Sequence, residues 1–157
     1  MPLSLITVGK IAKPFAEAAR EYEKRLSRYD KVEVIELPDE KEPAHLSSAA
    51  IAQVMDKEGR NILGRVRRED AVVALCIEGQ AQTSEQLADT VRRLRMDGRR
   101  IVFIIGGSLG LSPEVVARAD IRLSLSSMTM PHQLARVVLL EQIYRAFKII
   151  SGERYHK

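Results

Sequence analysis

The stretch Ile101-Val102-Phe103-Ile104-Ile105-Gly106-Gly107-Ser108-Leu109-Gly110-Leu111-Ser112-Pro113-Glu114 decides the fold. Its first five residues are apolar without alternation, the pattern of a strand covered on both faces, as at the centre of a parallel sheet. A glycine turn follows, and Ser112 and Pro113 then fit the cap and first position of a helix. In open parallel sheets, ligands bind in the crevice at the carboxyl ends of the strands, where glycine permits close backbone approach.

Outward from this stretch the same rhythm repeats. Strand-like runs occupy Leu3–Val8, Val32–Leu37, Ala71–Ile77, Arg100–Ile105 and Ile121–Leu125. Between them, Pro14–Tyr29, Ser47–Val66 and Ser84–Asp97 read as helices, the third announced by the cap pattern Thr83-Ser84-Glu85-Gln86. The expected fold is α/β, a mostly parallel sheet flanked by helices, in one domain over residues 1–157. The polar, proline-bounded segment from Pro38 to His45 reads as an exposed loop that takes its order from a partner.

Composition narrows the chemistry. The chain has one cysteine, Cys76, and three scattered histidines, so neither an internal disulfide nor a zinc site is expected. The apolar run near the amino terminus is too short for a membrane span and lacks the features of a secretory signal, which favours the cytoplasm. A net charge of +4 and a pI near 9.4 favour a phosphate-bearing partner only mildly.

The glycine turn is not a dinucleotide fingerprint. A G-x-G-x-x-G ending at Gly110 would need glycine where Ile105 stands, and no Lys-Ser/Thr pair follows Gly110 as a P-loop requires. The turn alone is as readily structural as functional. The second informative region is the end of the chain, where Ser124–His132 forms a loop of small and hydroxyl residues before a helix from Gln133 to Ile150. That helix has a broad apolar face, part of which suits a second copy of the chain. Glu141, Arg145 and Lys148 share one polar stripe, and His132 pairs with Arg136 four residues on. An ordinary solvated face explains the stripe equally well, and a cap explains His132.

Three motifs together carry a resemblance: Ile104 to Ser112, then Ser126-x-Met128-Thr129-x-Pro131-His132-Gln133-Leu134-x-Arg136, then Glu141-Gln142-Ile143-Tyr144-Arg145-Ala146-Phe147 with the closing Tyr155-His156-Lys157. This set, with Val8-Gly9-Lys10 and Asp56-Lys57-Glu58-Gly59, closely resembles the RlmH family of ribosomal RNA pseudouridine N3-methyltransferases, of the SPOUT class. It runs the length of the chain. The resemblance implies a deep carboxyl-terminal trefoil knot, an exception to unthreaded topology. It also implies S-adenosylmethionine as cofactor, held by Leu75, Cys76, Gly106, Gly107, Ser126, Ser127, Met128, Thr129, Met130 and Pro131.

The same resemblance places catalysis and substrate contact on His132, Glu141, Arg145, Tyr155 and His156, in a site shared across a homodimer. Arg145 would grip RNA phosphate, Tyr155 would border the base, and His156 or Glu141 would handle the imide proton. Cys76 then reads as a wall residue, not a nucleophile. The implied partner is 23S ribosomal RNA within the assembled ribosome, with no metal and no membrane. Rival readings are a non-catalytic ribosome-binding module and a related methyltransferase acting on transfer RNA. The arginine-rich stretches 60–68 and 92–100 fit either an extended RNA footprint or solvated helix faces.

Overall fold

The computed structural model describes residues 2–157. Five strands alternate with five helices: β1 (Leu3–Val8), α1 (Lys13–Leu26), β2 (Val32–Leu37), α2 (Ser48–Leu63), β3 (Ala71–Ala81), α3 (Ser84–Met96), β4 (Ile101–Ile105), α4 (Pro113–Arg118), β5 (Ile121–Ser124) and α5 (His132–Ile150). The strands form one sheet in the order β2-β1-β4-β3-β5, and each neighbouring pair is parallel.

Strand geometry sends alternate side chains to opposite faces. Leu3, Leu5, Val73, Phe103 and Ile105 thus enter one core with α1, α3 and α5. Ile6, Val8, Val72, Val102 and Ile104 enter a second, smaller core with α2 and α4. This is why the central strands are apolar at every position. The capping signals act as their chemistry requires: Thr83 and Gln86 bond each other's backbone reciprocally, and the Ser112 hydroxyl accepts from the Val115 N–H at 3.3 Å.

Three differences from the sequence expectation matter. First, β3 runs on to Ala81, four residues past Ile77, because its pairing with β5 slips: Leu75 and Gln80 both lie opposite Leu123. The intervening residues bulge out, and Gly79 permits this, since a Cβ there would lie 2.8 Å from the Arg122 carbonyl oxygen. Second, the loop after β2 is tied within the chain: the Glu40 N–H donates to Glu58 at 2.9 Å and the Ser108 hydroxyl to Glu42 at 2.6 Å. Third, most of the apolar face of α5 is buried against its own sheet, α1 and α3, leaving only its two ends exposed, at Leu134 (38%) and Ile150 (36%).

The amino ends of the strands are stitched by the residues that immediately precede them. Asp70 is fully buried before β3 and takes Arg100, which precedes β4, in a bidentate pair at 3.0 and 2.6 Å. Its Oδ2 also accepts the Arg67 N–H at 2.7 Å. Asp120, before β5, accepts the Val72 N–H at 2.8 Å. Arg99 and Arg118 donate to the Asp70 carbonyl oxygen at 2.7 and 3.1 Å. Arg99 and Arg100, at the end of the second basic stretch, therefore serve the fold at this pole, where the end of the first stretch contributes backbone groups of Arg65, Arg67 and Arg68.

Burial pushes the Asp70 carboxyl up, but the bonds from Arg100 and the Arg67 N–H outweigh it and hold the group below its ordinary 3.8. A depressed folded pKa gives stability that is present at neutral pH and disappears as pH falls through that value. Asp70→Asn is therefore expected to lower unfolding stability by about 3 kcal/mol at pH 7. In urea titrations the gap to the wild type should close as the pH drops below about 4.

Candidate active site

At the carboxyl ends of β3, β4 and β5 lies a cavity of about 580 Å³, within the size range of small-molecule sites. Three loops make its walls. The β3 bulge gives Leu75, Cys76 and Ile77; the turn after β4 gives Gly106, Gly107, Ser108, Gly110 and Leu111; and the segment after β5 gives Leu125, Ser126, Met128, Thr129, Met130 and Pro131. His132 and Ala135, from the first turn of α5, complete it, with Ile105 and Leu123 among the strand ends.

The glycines are there for space. A Cβ on Gly106 would meet Leu111 at 2.9 Å and the Gly110 carbonyl carbon at 3.0 Å. The turn closes on itself through the Gly110 N–H to the Gly107 carbonyl at 3.0 Å, with Gly110 at φ +87°. The segment after β5 is shaped by serine: the Ser124 hydroxyl donates to the Ser126 carbonyl at 3.1 Å, and the Ser126 hydroxyl accepts the Met128 N–H at 3.0 Å. Burial raises the Cys76 thiol above 9.0 despite Arg122 nearby, so the sulfur stays protonated and serves as wall.

Of the ten residues expected to hold a cofactor, nine line this cavity; Ser127 is exposed and does not. Ile77, Ile105, Ser108, Gly110, Leu111, Leu123, Leu125 and Ala135 also line it and were not among the ten, although Ser108 and Gly110 belong to the glycine turn that the sequence marks as open to a ligand. The bulge that carries Ile77 depends on strand pairing and left no local signal beyond Gly79.

The five expected catalytic residues divide. His132 is on the cavity wall. Glu141 and Arg145, two to four turns along α5, form a separate cluster with Tyr155 and His156 of the tail that follows it. Glu141 Oε1 accepts from Arg145 Nε at 3.0 Å and Nη2 at 2.5 Å, and from the Tyr155 hydroxyl at 3.1 Å. The Arg145 guanidinium lies 4.8 Å from the Tyr155 ring centroid, and that ring meets Tyr144 edge-on at 4.9 Å. Because Arg145 Nη1 is a donor, its 3.2 Å contact assigns His156 Nδ1 as acceptor. The Nε2–H then donates to Glu85 at 2.7 Å. Burial and the bond to Glu141 push the Tyr155 phenol up to about 12, so it remains a donor.

Two other residues singled out by spacing are structural. Arg136 is buried and bonds Glu36 at 2.7 Å, and Lys148 bonds Glu153 at 2.9 Å. Among the described residues, no group of three or more His, Cys, Asp or Glu is placed to hold a metal ion.

The chain is a SPOUT methyltransferase by family: residues 1–156 match the family model described as "Predicted SPOUT methyltransferase". A crystal structure of ribosomal RNA small subunit methyltransferase E from Neisseria gonorrhoeae bound to S-adenosyl methionine shares the fold, with a TM-score of 0.54 and 9% identity. That likeness covers 95% of this chain and 66% of the other. Proteins named ribosomal RNA large subunit methyltransferase H match over the full length of both chains, at 53% identity in Bacillus cytotoxicus and 51% in Bacillus pumilus and Clostridioides difficile. The chain belongs to this ribosomal RNA large subunit methyltransferase H family.

Because Cys76 only fills the wall, Cys76→Ser is expected to keep methyl transfer within about threefold of wild type, measured at saturating cofactor.

Proposed function

We propose that the chain transfers a methyl group from S-adenosylmethionine to N3 of a pseudouridine in 23S ribosomal RNA, using a site completed across a homodimer and acting on the assembled ribosome. The observation that carries this reading is the division of the site. His132 and Arg145 are 13 residues apart on one continuous helix, about 20 Å at 1.5 Å per residue. One chain cannot bring its own cluster to its own cavity without breaking α5. A second copy related by a two-fold axis can present its cluster to the first copy's cavity, and the exposed Leu134 and Met128 beside that cavity suit such an interface.

The cavity fits the cofactor chemically: mostly apolar walls for an adenine, and main chain at Gly106 and Gly107 that forms part of the wall. S-adenosylmethionine would supply a methyl already activated by its sulfonium, so the protein's share is alignment and removal of the imide proton. Glu141, which accepts from Arg145, Tyr155 and Gln142, organises the cluster. Arg145, in engaging an RNA phosphate, would leave His156 Nδ1, and that lone pair then takes the N3 proton. Tyr155, held protonated, borders the base. The threading of the family's trefoil knot belongs to this reading too. It is supported by the path of the chain from β5 at the sheet edge back to α5, which packs between α1 and α3.

A net charge of +4 is small for gripping naked RNA over a long footprint, which favours recognition of ribosome shape. Work on assembled ribosomes places the protein in the cytoplasm in this reading; no helix among the described residues is long and apolar enough to cross a membrane.

Arg145→Ala is expected to lower turnover by more than about a hundredfold while calorimetry with S-adenosylmethionine stays near wild type. Thr129→Trp, at the cavity rim, should abolish cofactor binding. Mixed dimers of the two variants should regain activity, because one of their two sites has both intact parts; inactive mixtures would refute the shared site. Labelled cofactor incubated with intact ribosomes, free ribosomal RNA and transfer RNA should mark only the ribosomes.

A further inference from the structure

The segment Asp56-Lys57-Glu58-Gly59 lies in neither the cavity nor the tail cluster, yet Glu58 is only 5% exposed. A carboxylate in the interior costs stability unless it is well partnered. Its Oε2 accepts the Glu40 N–H at 2.9 Å. A Cβ built on Gly107 would lie 3.1 Å from Oε1 and 3.4 Å from Oε2. The carboxylate is therefore seated closely against the turn that lines the cavity, where a side chain on Gly107 would crowd it.

The adjoining residues extend this grip. Gly59 packs on Ser112, at the far end of the turn, so closely that a Cβ there would lie 3.0 Å from the serine Cβ. Lys57 pairs with Glu40 at 3.2 Å, and Glu42 accepts the Ser108 hydroxyl at 2.6 Å. Helix α2 thus holds the glycine turn from behind while the loop after β2 straps it from outside. We propose that Glu58 is a positioning residue for the cofactor, setting the height of the Gly106–Gly110 turn; this rests on the S-adenosylmethionine reading above.

Burial raises the Glu58 carboxyl, the Glu40 N–H opposes this, and Asp39, Glu40 and Glu42 add to the rise. A raised folded pKa means that the ionised group weakens the fold as pH climbs through that range. A residue kept solely for stability would be a poor choice here, which is the physical reason to look for a role in the site.

Two variants separate reach from charge. Glu58→Gln keeps the length and the acceptor for Glu40; its affinity for S-adenosylmethionine should stay within about twofold of wild type and its melting temperature equal or higher. Glu58→Asp keeps the charge but withdraws one methylene from Gly107. It should raise KM for S-adenosylmethionine about tenfold at unchanged kcat, and speed amide exchange at Gly110, whose N–H bonds the Gly107 carbonyl. Exchange is read in cofactor-free protein. Faster exchange in Glu58→Asp with no cofactor binding by wild type would overturn the cofactor reading and uphold the clamp on the turn. Wild-type KM and wild-type exchange in Glu58→Asp would overturn the proposal, as would a fall in kcat with KM unchanged. Should Glu58→Asp fail to fold, Glu42→Ala cuts only the outer strap and should raise the same KM about threefold; an unchanged KM there also overturns it.

Discussion

The structure rests on the burial of β4 between β1 and β3, with helices on both faces. A parallel strand covered on both sides has no polar face, so anything chemical must happen where it ends. The two ends are then put to different uses. At the amino ends, charged residues one position before β3, β4 and β5 bond each other and neighbouring backbone, with Asp70 and Arg100 at the centre. At the carboxyl ends, glycines and small hydroxyl residues let the main chain fold back and leave a cavity.

That cavity is opened by an irregularity in the sheet. The slip that sets both Leu75 and Gln80 opposite Leu123 pushes Cys76 and Ile77 out of regular pairing and into the wall. Gly79 makes the slip possible by letting β3 approach the β5 backbone more closely than any side chain permits. On the other side, α2 and its buried Glu58 stand behind the glycine turn, so one edge of the site is held by a close backbone contact at Gly79 and the other by a side-chain carboxylate against Gly107.

The tail cluster obeys a different constraint. Arg145 and Tyr155 are organised around one carboxylate, Glu141, while His156 bridges Arg145 and Glu85, and each has its donor and acceptor roles assigned by its partners. The continuous helix that builds this cluster also keeps it from the cavity of the same chain. Rigidity is what makes a second subunit the natural completion of the proposed site, since a helix of this length relays position without bending.

Sequence alone determined the order of strands and helices, the parallel sheet and the glycine turn, because these follow from apolar runs, caps and glycine, all of which act over a few residues. Nine of the ten expected cofactor residues lie on the cavity wall, since motif and turn coincide there. The tertiary structure decided what depends on distant pairing: the extension of β3 to Ala81, the burial of the α5 face, the structural duty of Arg136, and the gathering of Tyr155 and His156 onto Glu141 and Arg145. It also gave Glu58 a neighbour in Gly107, 49 positions away in the chain. Such proximity arises only when α2 packs under the sheet, and no local pattern of residues encodes it.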